Sequence, residues 1–235
     1  MRRYAPLIKP IERNCSVTIP LDDTTGRDTD ALLVHLGACR SLGRELLSPL
    51  SATLASTLPD WTIGRLAHHA QQAWAFIYVH APARMSLTAE QILHWQAAIV
   101  SAIPAASAGL SVKLSRLQRQ LEFAGASSEQ TPCAHYVVET DAEAGWMPEI
   151  ARWYEVEHLP GLASAPGCVR AFRYLNHDHG PESLACYDLT TEEALSSPAW
   201  LAVRATEWSS RTRPHFVSTR RTMFRVIDPS PAAVG

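Results

Sequence analysis

Trp74-Ala75-Phe76-Ile77-Tyr78-Val79-His80 is apolar on both of its faces, and the fold turns on that stretch. Its β-branched and aromatic side chains, in so short a run, make it a strand. Trp74, Phe76 and Tyr78 fall on one face, with Ala75, Ile77 and Val79 on the other. Residues 168–175 (CVRAFRYL) behave the same way, with Phe172 and Tyr174 opposing Val169 and Ala171. A sheet covered by helices on one side only alternates apolar and polar residues. These strands do not alternate, so the second face needs a covering as apolar as the first.

Working outward, residues 15–21 (CSVTIPL) read as a strand and 28–56 as a helix. The apolar face of that helix is Leu32, Leu33, Leu36, Leu42, Leu46, Leu47, Leu50 and Leu54. A short strand over 61–66 precedes Trp74. Thr88-Ala89-Glu90-Gln91 is a capping box that opens a helix to about Ile103, and a last strand lies within 110–123. The order β-α-β-β-α-β then recurs. It begins with a strand at 135–140 (HYVVET) and a helix over 145–163. A hairpin of 168–175 with 183–189 follows, across Asn176, Asp178, Gly180 and Pro181. Thr190-Thr191-Glu192-Glu193 reads as another capping box, with a helix to about Trp208 and a closing strand at 220–227. The polar stretch 124–132 (AGASSEQTP) joins the halves. The chain thus divides into a first unit over 1–125, a linker over 126–133 and a second unit over 134–235.

A β-α-β-β-α-β unit is ferredoxin-like: a four-stranded antiparallel sheet with two helices on one face. The expected architecture is α+β, two tandem ferredoxin-like units whose antiparallel sheets face each other as a dimeric α/β-barrel. That pairing occurs within one chain or between two, the latter implying a homodimer or higher homo-oligomer. A central cavity between the sheets would take a small hydrophobic ligand.

Composition narrows the function. The 235 residues are 46% hydrophobic and 19% charged, enough for a sizeable core. Lys+Arg 21 against Asp+Glu 23 leaves a net charge of -2, without the basic excess of a nucleic-acid binder. Residues 91–112 are uncharged and long enough for a membrane span, but Pro104 and Gly109 break the stretch into helix, turn and strand. The N-terminus has no apolar run of the secretory kind. Cys15, Cys39, Cys133, Cys168 and Cys186 are odd in number and show no CxxC spacing. That pattern indicates reduced, mostly buried thiols in a cytoplasmic protein. Nucleotide, phosphoryl-transfer, serine-hydrolase and zinc-protease motifs are missing from the sequence.

The second half carries Trp153-Tyr154-Glu155-Val156-Glu157-His158-Leu159-Pro160, then Ala165-Pro166-Gly167 and Arg173-Tyr174. Ser197-Pro198-Ala199-Trp200, Trp208-Ser209 and Arg213-Pro214-His215-Phe216 follow. Over 134–227 this pattern resembles the EthD-like branch of the dimeric α/β-barrel superfamily. The resemblance implies paired ferredoxin-like sheets with a pocket inside. Members of the superfamily include cofactor-independent monooxygenases, isomerases, cyclases and haem-dependent enzymes. The first half departs from the motif, with Leu47-Ser48-Pro49 where the second has His158-Leu159-Pro160. Any site is therefore expected in the second half.

His158 is the sharpest candidate. Tyr154 and His158 stand one helical turn apart on one face. An imidazole near a barrel mouth can take a proton from a carbonyl compound or give one to it. Its structural alternative is capping the last helical carbonyls. Tyr154 and Tyr174 are its candidate partners. Arg213 and His215 are candidate anchors for oxyanion charge, unless they pair with the acidic surface of Glu149, Glu155 and Glu157. Trp208 is a candidate for ligand stacking or for packing. His68-His69 and His177-Asp178-His179 lie in expected turns and lack the third ligand of a metal site, so no metal is assigned. The expected activity is cofactor-free isomerase, cyclase or lyase chemistry on a small hydrophobic carbonyl or phenolic compound. The alternatives are a haem-dependent redox enzyme and a non-catalytic small-molecule-binding protein.

Overall fold

The computed structural model of the chain describes residues 25–107 and 109–228. Its strands are β1 (Arg27–Gly37), β2 (Thr62–His69), β3 (Trp74–Leu87), β4 (Ser111–Ala124), β5 (Ala134–Ala142), β6 (Cys168–Asn176), β7 (Ser183–Leu189) and β8 (Phe216–Ile227). They close into one barrel in the order β1-β3-β2-β8-β5-β7-β6-β4. Each half supplies four neighbours in the same internal order, β4-β1-β3-β2 and β8-β5-β7-β6. The halves are sewn together by the antiparallel pairs β2–β8 and β4–β6. Both sheets of the barrel therefore belong to one chain.

Helices α1 (Arg44–Thr57) and α2 (Ala89–Ser101) cover the outer face of the first half. Over the second half lie α3 (Met147–Trp153), a π-helical turn (Tyr154–His158), α4 (Leu159–Ala163), α5 (Pro198–Arg204) and α6 (Glu207–Thr212). No helix among the described residues is long and apolar enough to cross a membrane.

Four expectations are corrected. The first strand is β1, inside the span read as helix; the strand expected at 15–21 lies outside the described residues. Leu32, Val34 and Leu36 of β1 pack under the helices while Ala31 and Leu33 face the lumen. With both faces apolar, the period of two is invisible in the sequence and passes for a helical stripe. The true helix starts after Gly43, and Leu46, Leu50 and Leu54 at spacings of four form its buried face. The helix expected from Thr190 to Trp208 is broken. Thr191 makes no capping bond, and Glu192–Ser196 is only a 3-10 turn. Ser197 and Thr206 cap two separate short helices instead, accepting from the N–H groups of Trp200 (3.2 Å) and Ser209 (3.1 Å). Pro198 has no N–H and suits the first position of a new helix better than the middle of an old one.

The first capping box does form. Gln91 N–H donates to Thr88 Oγ1 at 3.3 Å, and Thr88 N–H donates to Gln91 Oε1 at 2.9 Å. Thr88→Ala is expected to cost about 1 kcal/mol, read as a lower urea midpoint at unchanged slope.

The third correction concerns the lumen. Phe76, Tyr78, Phe172, Tyr174 and Phe224 fill the space between the sheets, with Leu33, Leu117, Val137 and Leu184 around them. Phe76 and Phe224 lie with ring centroids 4.7 Å apart, and Phe172 and Tyr174 5.5 Å apart. This is a packed core rather than a central ligand chamber. Polar side chains close it at each end. At one end His135 Nδ1 lies 2.8 Å from Asp188 Oδ1, and its Nε2 lies 3.1 Å from the Tyr78 hydroxyl. Asp188 also accepts from Arg65 and Arg170.

The hairpin turn 177–179 is not the solvated loop expected for it. The Asp178 carboxylate is fully buried and accepts from the backbone N–H, Nε and NH2 of Arg116 on β4. The turn of the second half is thus bolted into a strand of the first. Cys39, Cys168 and Cys186 are buried free thiols and Cys133 is exposed; Cys15 lies outside the described residues.

Candidate functional site

The site forms where the outer face of the second half meets its helices. Alternation along β5 turns His135 and Val137 into the lumen and sends Tyr136 and Val138 to the helix side. Tyr187 of β7 and Arg221 of β8 reach the same side, where a cavity of about 30 Å³ lies beneath the π-helical turn. A space of that size holds one or two water molecules.

The π-helical turn positions Tyr154 and His158. Leu159 N–H reaches back five residues to the Tyr154 carbonyl, and Pro160, with no N–H, follows it. The wider turn sets the His158 ring over Trp153, with centroids 3.9 Å apart and planes at 20°, and edge-on to Tyr154 at 5.6 Å. His158 is 7% exposed, and its Nδ1 has no hydrogen-bond partner among the described residues. Burial first, then Arg213 and Arg204, lower its pKa from 6.5 to about 3. The imidazole is therefore neutral at physiological pH. It can accept a hydrogen bond at its free nitrogen, and in the free protein burial and the two nearby cations make it a weak base.

Arg213 closes the cavity from the loop after α6. Its Nε donates to the Ser209 carbonyl at 3.2 Å and its NH2 to the Arg204 carbonyl at 2.7 Å. Burial, then Arg204 and Arg221, lower its pKa, a sign of cations crowded together. No carboxylate lines the cavity. The guanidinium groups of Arg204 and Arg221 have no partner among the described residues, and neither do the phenols of Tyr136, Tyr154 and Tyr187. Burial pushes the Tyr154 phenol up, opposed by Arg173, whose guanidinium lies 5.2 Å from the ring centroid. Arg173 itself is buried, donating to Ser183 Oγ at 3.0 Å.

The structure thus brings together Tyr154, His158 and Arg213 among the residues singled out from sequence. Tyr174 is not with them: it points into the lumen, with its ring centroid 6.4 Å from that of Tyr78. Alternation along β6 places Arg173, not Tyr174, beside Tyr154. His215 lies outside the cavity, flat on Trp146 at 3.3 Å with its Nδ1 2.6 Å from Glu143 Oε2. Trp208 Nε1 donates to Glu149 Oε1 at 2.9 Å, an acid that Arg211 also engages. These two candidates are surface fixtures of the helical layer, and Arg211 rather than Arg213 pairs with the acidic surface. The sequence reading missed Tyr136, Tyr187, Arg204 and Arg221. Strand parity would have found Tyr136, which opposes the inward His135, and helical spacing Arg204, four residues after the buried Trp200. On the corresponding face of the first half, leucines and isoleucines of α1, α2 and β1 fill the space.

No protein-family model matches the chain, and no curated protein is similar to it. Solved structures are similar in fold. A chlorite dismutase variant from Candidatus Nitrospira defluvii, in complex with cyanide, superposes with a TM-score of 0.55 at 9% identity, covering 85% of this chain and 92% of that one. An anthrone oxidase-like protein gives 0.53 at 11% identity over 89% of this chain and 99% of that one. A candidate monooxygenase from Lactobacillus acidophilus gives 0.51 at 13% identity over 85% and 93%. At these identities the likeness is one of fold, and in fold the chain is an α+β protein of the ferredoxin-like, dimeric α/β-barrel kind.

Proposed function

We propose that the chain is an enzyme of the EthD-like type that binds a small phenolic or enolisable carbonyl compound as its oxyanion and moves a proton to His158 without a bound cofactor. The observation that supports this is a convergence of unused groups. Three phenols, one imidazole nitrogen and two guanidinium groups without protein partners meet at one cavity that no carboxylate lines. Of these groups the His158 nitrogen is buried without a partner, which marks a place for a water or a ligand, and the phenols and guanidinium groups converge on the same spot. Its sign is that of an anion-binding site.

The proton leaves the substrate O–H, or a C–H beside its carbonyl, for the His158 imidazole. The electron pair stays on the substrate oxygen next to Arg204 and Arg213. Those two cations disfavour imidazolium in the free protein. An oxyanion placed between them and His158 offsets that repulsion, so binding charge and accepting the proton support each other. Return of the proton to another carbon gives isomerisation. Attack of the enolate carbon on an electrophilic carbonyl of the same substrate, with the proton passed to that carbonyl oxygen, gives cyclisation. Departure of a leaving group from the β-carbon, protonated as it goes, gives elimination. The same electron-rich oxyanion is what a dioxygen-consuming reaction would use, the chemistry named by the candidate monooxygenase and the anthrone oxidase-like protein.

A phenol is several times larger than the one or two water molecules this cavity holds. Binding therefore requires the cavity to widen, starting at the rim, where the exposed Arg221 and half-buried Arg204 side chains can swing aside. A haem does not fit these residues. The cavity is walled by Trp153 and Trp200, both fully buried, and His158 lies face-on against Trp153. A macrocycle would need a far wider slot.

4-Nitrophenol is a suitable probe, because its visible absorbance reports ionisation. The native protein is expected to bind it saturably and to hold it as the phenolate below its own solution pKa. Arg204→Met with Arg221→Met should weaken binding about tenfold or more. His158→Ala should retain binding and lose most of the ionisation shift, and with a turned-over substrate it should slow the reaction about 10²–10⁴-fold. Binding of the neutral phenol alone, or identical titrations in all variants, would remove the basis for this reading.

A further inference from the structure

A second cavity, of about 360 Å³, opens at the end of the barrel away from Asp188. It is lined by Lys113 of β4, Asp141 of β5, the turn residues His179 and Gly180, and Ser218 and Arg220 of β8. Its volume falls in the range of small-molecule sites, and nothing in the proposed chemistry uses it.

Local structure here departs from regular sheet. The β5–β8 register shifts between Glu139 and Asp141, and Ser218, opposite that shift, holds a left-handed φ of 53°. Non-glycine residues rarely adopt that conformation, and such strain together with a bulge concentrates at ligand sites. The floor is rigid and aromatic. Arg220 is bidentate to Glu139 and lies 4.3 Å above the Trp74 ring, and His35 meets the same indole edge-on at 5.8 Å.

Several groups remain unused. The Nε2 atoms of His179 and His35 are buried without a hydrogen-bond partner among the described residues. Burial first, then Arg220, Lys113 and His179, lower the His35 pKa to about 4, so this ring sits among the same basic groups and is neutral. The Lys113 ammonium has no carboxylate partner among the described residues. Asp141 accepts from Glu182 N–H through Oδ1 at 2.8 Å, which leaves its second oxygen available. An unpaired cation and an acceptor carboxylate on one rim, with the free His179 imidazole nitrogen beside them, ask for a ligand carrying both an anion and a donor.

We propose that this end of the barrel binds a small carboxylate bearing a hydroxyl or ammonium group, separately from the His158 cavity. The carboxylate meets Lys113 and the His179 imidazole, and the donor meets Asp141. Glu139 neutralises Arg220, so one anionic group suffices.

The test is isothermal titration calorimetry of the full chain with lactate, alanine and propionate. Lactate or alanine should bind saturably with one site per chain, and propionate, which lacks the donor, about tenfold more weakly or less tightly still. Asp141→Asn should erase the preference over propionate. Lys113→Met, at an exposed position where folding is not at risk, should weaken every ligand about tenfold. The His179 imidazole NMR signals should shift on titration while those of His158 stay put. The proposal is overturned if neither lactate nor alanine gives saturable heat, if propionate binds equally well, or if both variants bind as the native chain does.

Discussion

Asp188→Ala is expected to destabilise the fold by about 3–5 kcal/mol, the usual cost of removing one member of a buried ionic network. The carboxylate is 1% exposed and receives hydrogen bonds or charge from His135, Arg65 and Arg170, which come from three different strands. Its loss strands cationic donors at the end of the barrel and leaves the His135–Tyr78 contact without an anchor. Arg65 and Arg170 are partly exposed and can recover some hydration, so the lower part of that range is expected if they swing outward. The same group shapes the response to acid. Burial pushes the Asp188 carboxyl up, but His135 and Arg65 outweigh it and hold the group well below the usual carboxylate range. A carboxyl depressed in the folded state adds stability above its unfolded pKa of about 3.9, and that stability is lost as pH falls toward the folded value. Urea titrations across this range should show a steep loss in the native chain and a shallower one in Asp188→Asn. Equal slopes would mean that the network does not hold the charge in solution.

Arg116→Met should cost a similar 3–5 kcal/mol, because it leaves the Asp178 carboxylate buried with its main cation gone. Arg116 and Asp178 are 2% and 0% exposed in their side chains, and three of the contacts between them are hydrogen bonds of 2.6–3.1 Å. Arg116 also donates through NH1 to the Leu87 carbonyl at 2.8 Å, tying β3 to β4. Since the pair crosses from the first half to the second, its loss should loosen the β4–β6 seam. Hydrogen exchange of the amides along β4 and β6 should accelerate more than that of β5 and β7. Replacing both partners, Arg116→Met with Asp178→Leu, should recover much of the loss, as apolar substitutes for buried pairs do. If the double variant is as unstable as the sum of the singles, the pair is not what couples the halves.

Where the sequence carried a local physical signal, it was readable. The box at Thr88 and Gln91 is a contact between residues three apart, and it forms as read. Both hairpin strands of the second half fall where their β-branched and aromatic runs put them. The failures came where the signal is ambiguous on its own. β1 is apolar on both faces, so its period cannot be told from a helical one. Thr190-Thr191-Glu192-Glu193 has the letters of a cap but is followed by Ser197-Pro198, a better start for a new helix.

Readable in the amino-acid sequence by itself were the element order of the second half, the two buried faces of the strands at 74–80 and 168–175, and the placing of Tyr154 and His158 on one side of a helix. Each follows from spacing along the chain, which the backbone converts directly into geometry. Only the tertiary structure decided that the sheets close on each other within one chain, since that depends on the β2–β8 and β4–β6 seams between residues far apart in sequence. It also decided that the lumen is full, because five rings that could have lined a chamber pack against one another instead. And it moved the candidate site to the helix side of the sheet. Strand parity separates Tyr174 from His158 by the thickness of the sheet, while Arg204, Arg213 and Arg221 meet His158 from segments up to about sixty residues away along the chain.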